Sequence, residues 1–317
     1  MTRPPDVPLW DRLPPLWAGR LARVGDAAAS RGQAAVLVGG SVRDLLLNRP
    51  PKDWDVVVEG AAGPVVKAFA AAEDARVESH PAFLTFTVHF KDGTALDVAT
   101  ARTETYARPG ALPTVRPAPL AEDFARRDFT VNAMACRATP ENRGRLEDPL
   151  AGRGDLAGGL VRALHPRSFE DDPTRIYRAA RYAGRYGWSV EAATAGWIDR
   201  AVKENRPGVL SPVRRRNELF HLLEEDRPLP ALRLLAEWGL GPFAVPAYDL
   251  DRVPAAVWAE EPSADRFARR LAGLLGPDPA AAENALKAAQ TPVALRRRVV
   301  DWLRDRRFVV DTFGRKN

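Results

Sequence analysis

Cysteine is almost missing from this chain: Cys136 is the only one among 317 residues. That excludes a disulfide framework and any cysteine-rich zinc site, and it suits a reducing, cytoplasmic compartment. Histidine is also scarce. His80, His89, His165 and His221 are scattered without metal-ligand spacing, so any bound metal must rest on carboxylates and be a hard ion such as magnesium. No run approaches the roughly eighteen apolar residues of a membrane span. The start, Met1-Thr2-Arg3-Pro4-Pro5, lacks the apolar core of a secretory signal. Neither sign of charge dominates. The 47 Lys+Arg against 41 Asp+Glu leave +6, an excess that fits a polyanionic partner but settles little alone. What remains is ordinary soluble-protein composition, 45% hydrophobic and 28% charged, in a chain long enough for two or three domains.

The pattern divides into a mixed α/β part and a helical part. Short buried strands are expected at 34–38 and 54–58, and helices at 41–47 and 63–72. Residues 83–90 alternate with period two, and the turn Lys91-Asp92-Gly93-Thr94 should return the chain as an antiparallel strand at 95–99. A Pro/Gly-rich loop is expected over 106–119, then a helix over 120–136. Beyond about residue 138 strand signals fade. A linker at 148–159 leads to amphipathic helices at 172–186, 192–204, 210–225 and 228–238, with helical pattern continuing over 252–276 and 280–307.

Three constellations carry chemistry. The first is Gly39-Gly40-Ser41-Val42-Arg43-Asp44, followed by Asp53-Trp54-Asp55. Glycines let backbone N–H groups approach a triphosphate, and the helix that follows adds a favourable dipole. Alone, Gly-Gly is more often a tight strand-to-helix turn. In a strand, residues i and i+2 share a face, so Asp53 and Asp55 converge. Two such carboxylates are costly together unless cations sit between them. A pair of magnesium ions there would activate an attacking hydroxyl and stabilise leaving pyrophosphate. Asp97, on the returning strand, is either a third carboxylate or a solvent-facing acid. The second constellation is Arg126-Arg127-Asp128-Phe129-Thr130-Val131-Asn132-Ala133, in which Arg127 can bind phosphate or sugar with Asp128 holding it. The third is Asp171-Asp172-Pro173-Thr174-Arg175-Ile176-Tyr177-Arg178. Pro173 suits a first helical turn with Asp172 as N-cap, and Arg175, Arg178, Arg181 and Arg185 fall on one side of that helix. Asp172 can accept from the exocyclic amine of cytosine or adenine while Arg175 donates to the ring nitrogen. Guanine and uracil would leave both groups unpaired. Arg178 and Arg181 would then meet phosphates or position Asp172.

These motifs, in this order, resemble the class II tRNA nucleotidyltransferases of the polymerase-β superfamily: CCA-, CC- or A-adding enzymes and their poly(A) polymerase relatives. The resemblance covers roughly residues 34–240. It implies an α+β fold, a polymerase-β-like head of small mixed sheet and helices followed by an all-α neck, body and short tail. The corresponding division is an N-terminal lead-in 1–33, head 34–137, neck 138–205 and body with reduced tail 206–317. It implies that Asp53 and Asp55 bind Mg²⁺ and catalyse. It further implies a nucleotide site of Gly39, Gly40, Ser41, Arg43, Arg102, Arg127, Asp128, Asn132, Asp172, Arg175, Arg178 and Arg181. Arg102 matches a family arginine at the nucleotide pocket, and the second motif is linked with ribose recognition. The expected activity is template-independent addition of C and/or A from CTP or ATP to the 3′ end of tRNA, in the cytoplasm, without a membrane partner.

Two departures stand out. Asp171-Asp172 replaces the family's usual Glu-Asp, which shortens one carboxylate arm. The loop 104–119 occupies the place of the family's specificity-switching element, but with a stiff Pro-Gly-Ala-Leu-Pro core. Arg214-Arg215-Arg216 and Arg296-Arg297-Arg298 with Arg304, Arg306 and Arg307 are patches for holding tRNA, or solvated helix faces. Trp302 reads as core. The competing activities are a poly(A) polymerase and a non-catalytic RNA-binding or membrane-surface protein.

Overall fold

The computed structural model describes residues 9–240, 255–258, 265–305, 308–309 and 312. Residues 1–8, parts of the expected helical stretch 252–276, and Arg306 and Arg307 lie outside the described residues. The chain forms two compact units. The first comprises residues up to 107, 112–158 and 162–165; the second comprises 108–111, 159–161 and 166 onwards.

In the first unit the order is α1 (Pro15–Ala29), β1 (Ala34–Val38), α2 (Gly40–Leu46), β2 (Asp55–Glu59), α3 (Ala62–Glu73), β3 (Arg76–His80), β4 (Thr85–His89) and β5 (Ala95–Thr100). Then come β6 (Arg102–Thr105), β7 (Thr114–Pro117), α4 (Leu120–Ala125), β8 (Ala135–Arg137), β9 (Leu146–Glu147) and α5 (Gly152–Gly158). A seven-stranded mixed sheet runs β3-β4-β5-β2-β1-β8-β9, with β2 and β5 parallel, and β6 and β7 form a separate hairpin. The apolar run of β2 is central, so both faces are buried and side chains alternate between two cores. Val56 and Val58 join Trp17, Leu21, Phe69 and Trp54 on one face, while Val57 joins Val36, Val38, Leu120 and Phe124 on the other.

Most expected elements are present within a residue or two, and the exceptions have physical causes. The helix expected over 120–136 ends at Ala125. Asp128 accepts the Phe129 N–H at 2.8 Å, Thr130 N–H bonds Arg162 O at 3.0 Å, and Ala135–Arg137 becomes a strand paired with β1. An available sheet edge outweighs helical periodicity here. Within the expected loop 106–119, residues Thr114–Pro117 likewise form strand β7. The lead-in holds a full helix, α1, whose Trp17, Leu21, Val24 and Ala28 bury one face. The expected linker contains α5, because the Asp148 carboxylate accepts from Gly152 N at 2.6 Å and Arg153 N at 2.9 Å. We expect Asp148→Ala to cost about 1 kcal/mol through this lost cap, readable as a lower melting temperature with activity retained.

The second unit is helical: after β10 (Leu160–Val161) come α6 (Ser168–Asp171), α7 (Thr174–Tyr186), β11 (Ser189–Val190), α8 (Ala192–Lys203), α9 (Pro212–Leu223) and α10 (Leu229–Glu237). They are followed by α11 (Ala255–Trp258), α12 (Arg266–Leu275), α13 (Pro279–Ala288) and α14 (Val293–Arg304). Tyr177 and Ala180 of α7 pack against Leu222, Ala231 and Leu235. The helical pattern expected over 280–307 is taken up by two helices, separated at 289–292 where Gln290 takes a positive φ and Pro292 precedes α14. Trp302 packs against the core formed by α12–α14. No helix among the described residues is long and apolar enough to cross a membrane.

Candidate active site

Asp55 opens β2, and Asp53 lies two residues before it in the bend that leads into the strand. Trp54 is buried and stacks on Trp17 with ring centroids 4.5 Å apart. That pins it to the α1 face, and Asp53 and Asp55 flank it on either side in the chain. Asp55 is half-buried and Asp53 exposed. The parallel register sets Asp97 directly across from Asp55 on β5, but the Asp97 carboxylate accepts the Thr87 hydroxyl at 2.6 Å. Among the described residues no three His, Cys, Asp or Glu side chains group as a metal centre. Asp97 thus lies beside Asp55 with one carboxylate oxygen bonded to Thr87, and both sequence readings of it stay open. The donor set at Asp53 and Asp55, hard carboxylate oxygens at the open end of a buried strand, suits a hard divalent cation.

The glycine turn lies at the neighbouring strand end. Gly39 leaves β1 with φ +69°, a conformation that favours glycine, and a Cβ there would press on an Arg127 guanidinium nitrogen at 3.1 Å. Ser41 is buried; its Oγ donates to Asp53 O at 3.0 Å and accepts from Asp55 N at 3.3 Å. It therefore staples the Asp53–Asp55 segment to α2. Arg43 is 3% exposed and donates to Asp44 Oδ1 at 2.9 Å and Asn132 Oδ1 at 2.6 Å. Asn132 in turn donates to Asp128 Oδ1 at 3.0 Å. The first two sequence motifs are thus one buried hydrogen-bonded network.

Contrary to the sequence expectation, Arg127 is not held by Asp128. That task falls to Asp123, a fully buried carboxylate to which no role was assigned from sequence. Asp123 accepts Arg127 Nη2 at 2.9 Å, Arg126 Nη2 at 2.7 Å and Arg102 N at 3.2 Å. Burial pushes the Asp123 carboxyl up, but Arg127 and Arg126 together hold it below its ordinary value. Burial, and Arg126 beside it, lower the Arg102 guanidinium despite Glu104. Helical i+3 and i+4 spacing from Asp123 to Arg126 and Arg127 was the available signal.

In the second unit Asp172 sits at the start of α7. Its Oδ1 accepts from Thr174 N at 3.1 Å, Thr174 Oγ1 at 2.7 Å and Arg214 Nη2 at 2.8 Å. Arg175 is not paired with it there: that side chain is 6% exposed and donates to Ser168 Oγ at 2.8 Å. Arg178 donates to the Tyr182 hydroxyl at 3.1 Å, and Arg181 lies over the Tyr182 ring at 5.6 Å. Arg185 is in an ion pair with Glu225 of the same unit. The arginine stripe is therefore partly internal. Glu218 of α9, raised by burial and opposed by Arg178, Arg181 and His221, faces it. Arg214, expected from sequence only as part of a basic patch, is the partner of Asp172.

A mixed sheet that carries Gly-Gly on one strand end and Asp-x-Asp on the next, followed by helices, defines a nucleotidyltransferase of the polymerase-β type. Residues 35–162 match the Poly A polymerase head domain family. Over 301 residues the chain is 35% identical to the CC-adding tRNA nucleotidyltransferase of Deinococcus radiodurans, covering 89% of this chain and 77% of that protein. It is 39% identical over 219 residues to the A-adding tRNA nucleotidyltransferase of Halalkalibacterium halodurans, covering 68% of this chain but spanning only 51% of that protein. Among solved structures it is similar to the Thermotoga maritima CCA-adding enzyme complexed with tRNA, with TM-score 0.76 and 29% identity over 93% of this chain and 70% of that one. The chain belongs to the tRNA nucleotidyltransferase and poly(A) polymerase family, whose members generally use divalent metals.

Proposed function

We propose that this protein is a template-independent tRNA nucleotidyltransferase that adds C and/or A from CTP or ATP to the tRNA 3′ end and releases pyrophosphate. The observation that carries the reading is the Asp53/Asp55 pair, tied through Ser41 to the Gly39-Gly40 turn. Mg²⁺ bound by Asp53 and Asp55 would lower the barrier to attack of the RNA 3′-OH on the α-phosphate and stabilise the leaving pyrophosphate. The chain's own residues bind and orient. Gly39 and Gly40 present backbone to the triphosphate. Arg43, fixed by Asn132, and Arg127, fixed by Asp123, provide preorganised positive charge. On the second unit Asp172 accepts from the base amine, with Arg175, Arg178 and Arg181 contributing to nucleotide recognition. Functionally we keep a head at 34–137, a selecting neck at 138–205 and a tRNA-holding body at 206–317. Cys136, buried and free with its thiol pushed up to about 12 by burial and by Glu147, fits a reducing cytoplasm.

The test gives purified protein and Mg²⁺ three tRNAs, ending before, within or after the CC, each with CTP, ATP or both. Extension with CTP alone marks a CC-adding enzyme, and extension only of the CC-ended tRNA with ATP marks an A-adding one. Long A tails on any 3′ end would assign a poly(A) polymerase instead.

A further inference from the structure

We infer that Arg214 is a positioning residue for nucleotide choice. One guanidinium aims the Asp172 carboxylate and ties that aim to the tip of the 106–113 loop. The inference rests on the tRNA nucleotidyltransferase reading above and names a residue that sets the selectivity of that site.

The geometry is specific. All three hydrogen bonds that the Asp172 carboxylate makes with the described residues fall on the same oxygen, Oδ1: Thr174 N, Thr174 Oγ1 and Arg214 Nη2. A carboxylate oxygen carries two lone pairs, so three donors saturate it and leave Oδ2 as the acceptor presented to a base. An exocyclic amine of cytosine or adenine can donate to that oxygen. A carbonyl of uracil or guanine meets it as acceptor against acceptor and is repelled. Discrimination therefore depends on the carboxylate not rotating, and Thr174 alone supplies donors from only one side of the helix start.

The other branch of the same guanidinium, Nη1, donates to Gly110 O at 2.7 Å. Gly110 belongs to the same compact unit as Asp172 and Arg214. It has φ +70°, and a Cβ there would come within 2.7 Å of Val209 Cγ2, so the loop tip is seated closely enough to be a fixed partner. A planar fork can hold two acceptors at once, whereas a lysine ammonium on a flexible stem cannot reproduce both directions. Four residues further along α9, the buried Glu218 carboxyl is raised by burial and opposed by the charges of Arg178 and Arg181 on α7.

The experiment measures single-nucleotide addition by the full chain with Mg²⁺, on tRNAs ending before and after CC, with each of the four NTPs separately. Arg214→Ala, Arg214→Lys and Thr174→Val are compared with wild type. We expect Arg214→Ala to lose about tenfold of the preference for the correct nucleotide over UTP and GTP, the size of one charged hydrogen bond. KM for tRNA should stay unchanged and hydrogen exchange in 106–113 should rise. Arg214→Lys should fail to restore selectivity. Thr174→Val should lose selectivity in the same direction without loosening the loop, and keeps the inference testable if Arg214→Ala folds poorly. A selective wild type with equally selective Arg214 variants overturns this inference alone. An equal loss of rate with all four nucleotides also overturns it, by assigning Arg214 a purely structural role. A folded wild type that extends no tRNA overturns the parent reading and this one with it.

Discussion

Asp53→Asn and Asp55→Asn should each lower nucleotide addition about a thousandfold, a loss of about 4 kcal/mol of transition-state stabilisation. The fold should barely notice. Asp53 is exposed and Asp55 half-buried, and the anchor of the segment is Trp54 in the core between them. Ser41 bonds only the backbone of Asp53 and Asp55, so it keeps its partners in both variants. Isosteric loss of one charge therefore removes affinity for a divalent cation and leaves packing in place. Steady-state kinetics with CTP and ATP, paired with denaturant unfolding, should show a collapsed kcat beside a stability change within about 0.5 kcal/mol. Undiminished turnover in either variant would remove the carboxylate pair from the mechanism.

How legible this protein was depended on the range over which each interaction acts. Local patterns were reliable: β-branched runs gave the central strands, and amphipathic spacing gave α7 to α10 nearly to the residue. Readings failed where a distant partner decided the outcome. Residues 126–136 carry a helical pattern, yet β1 offers an unpaired edge some hundred positions earlier, and the chain takes it. The site followed the same rule. Asp-x-Asp beside Gly-Gly is a statement about local geometry and was readable as such. The partners of the arginines were not. Asn132 meets Arg43 across 89 residues and Arg214 meets Asp172 across 42, and only a folded chain brings those together. Asp123 is the instructive exception, since its partners lie three and four residues away on one helical turn. The carboxylate was visible, but Asp128, adjacent to the arginines in sequence, looked like the simpler partner.

That carboxylate carries the second large effect. Asp123→Ala should destabilise the first unit by about 3 kcal/mol, because removing one member of a buried ion network strands the others. Asp123 is fully buried, while Arg126 and Arg127 keep 19% and 14% of their side-chain surface, so partial hydration of the arginines holds the cost at the lower end of the usual range. The pH dependence follows from the direction of the shift. Asp123 titrates below its ordinary value of 3.8 in the folded chain, so near that pH the unfolded chain binds more protons and stability rises with pH. Its contribution is complete above the ordinary carboxylate range and is lost as pH falls through the folded value. Denaturant unfolding at a series of pH values should show wild type and Asp123→Asn well separated at pH 7 and converging toward acid. Because Arg102, Arg126 and Arg127 all lean on this one carboxylate, Asp123→Asn should also raise KM for the nucleotide under conditions where the variant remains folded. A variant that is less stable but has unchanged nucleotide KM would confine Asp123 to the fold and leave Arg127 to be positioned by the Asn132 carbonyl, its other partner at 3.2 Å.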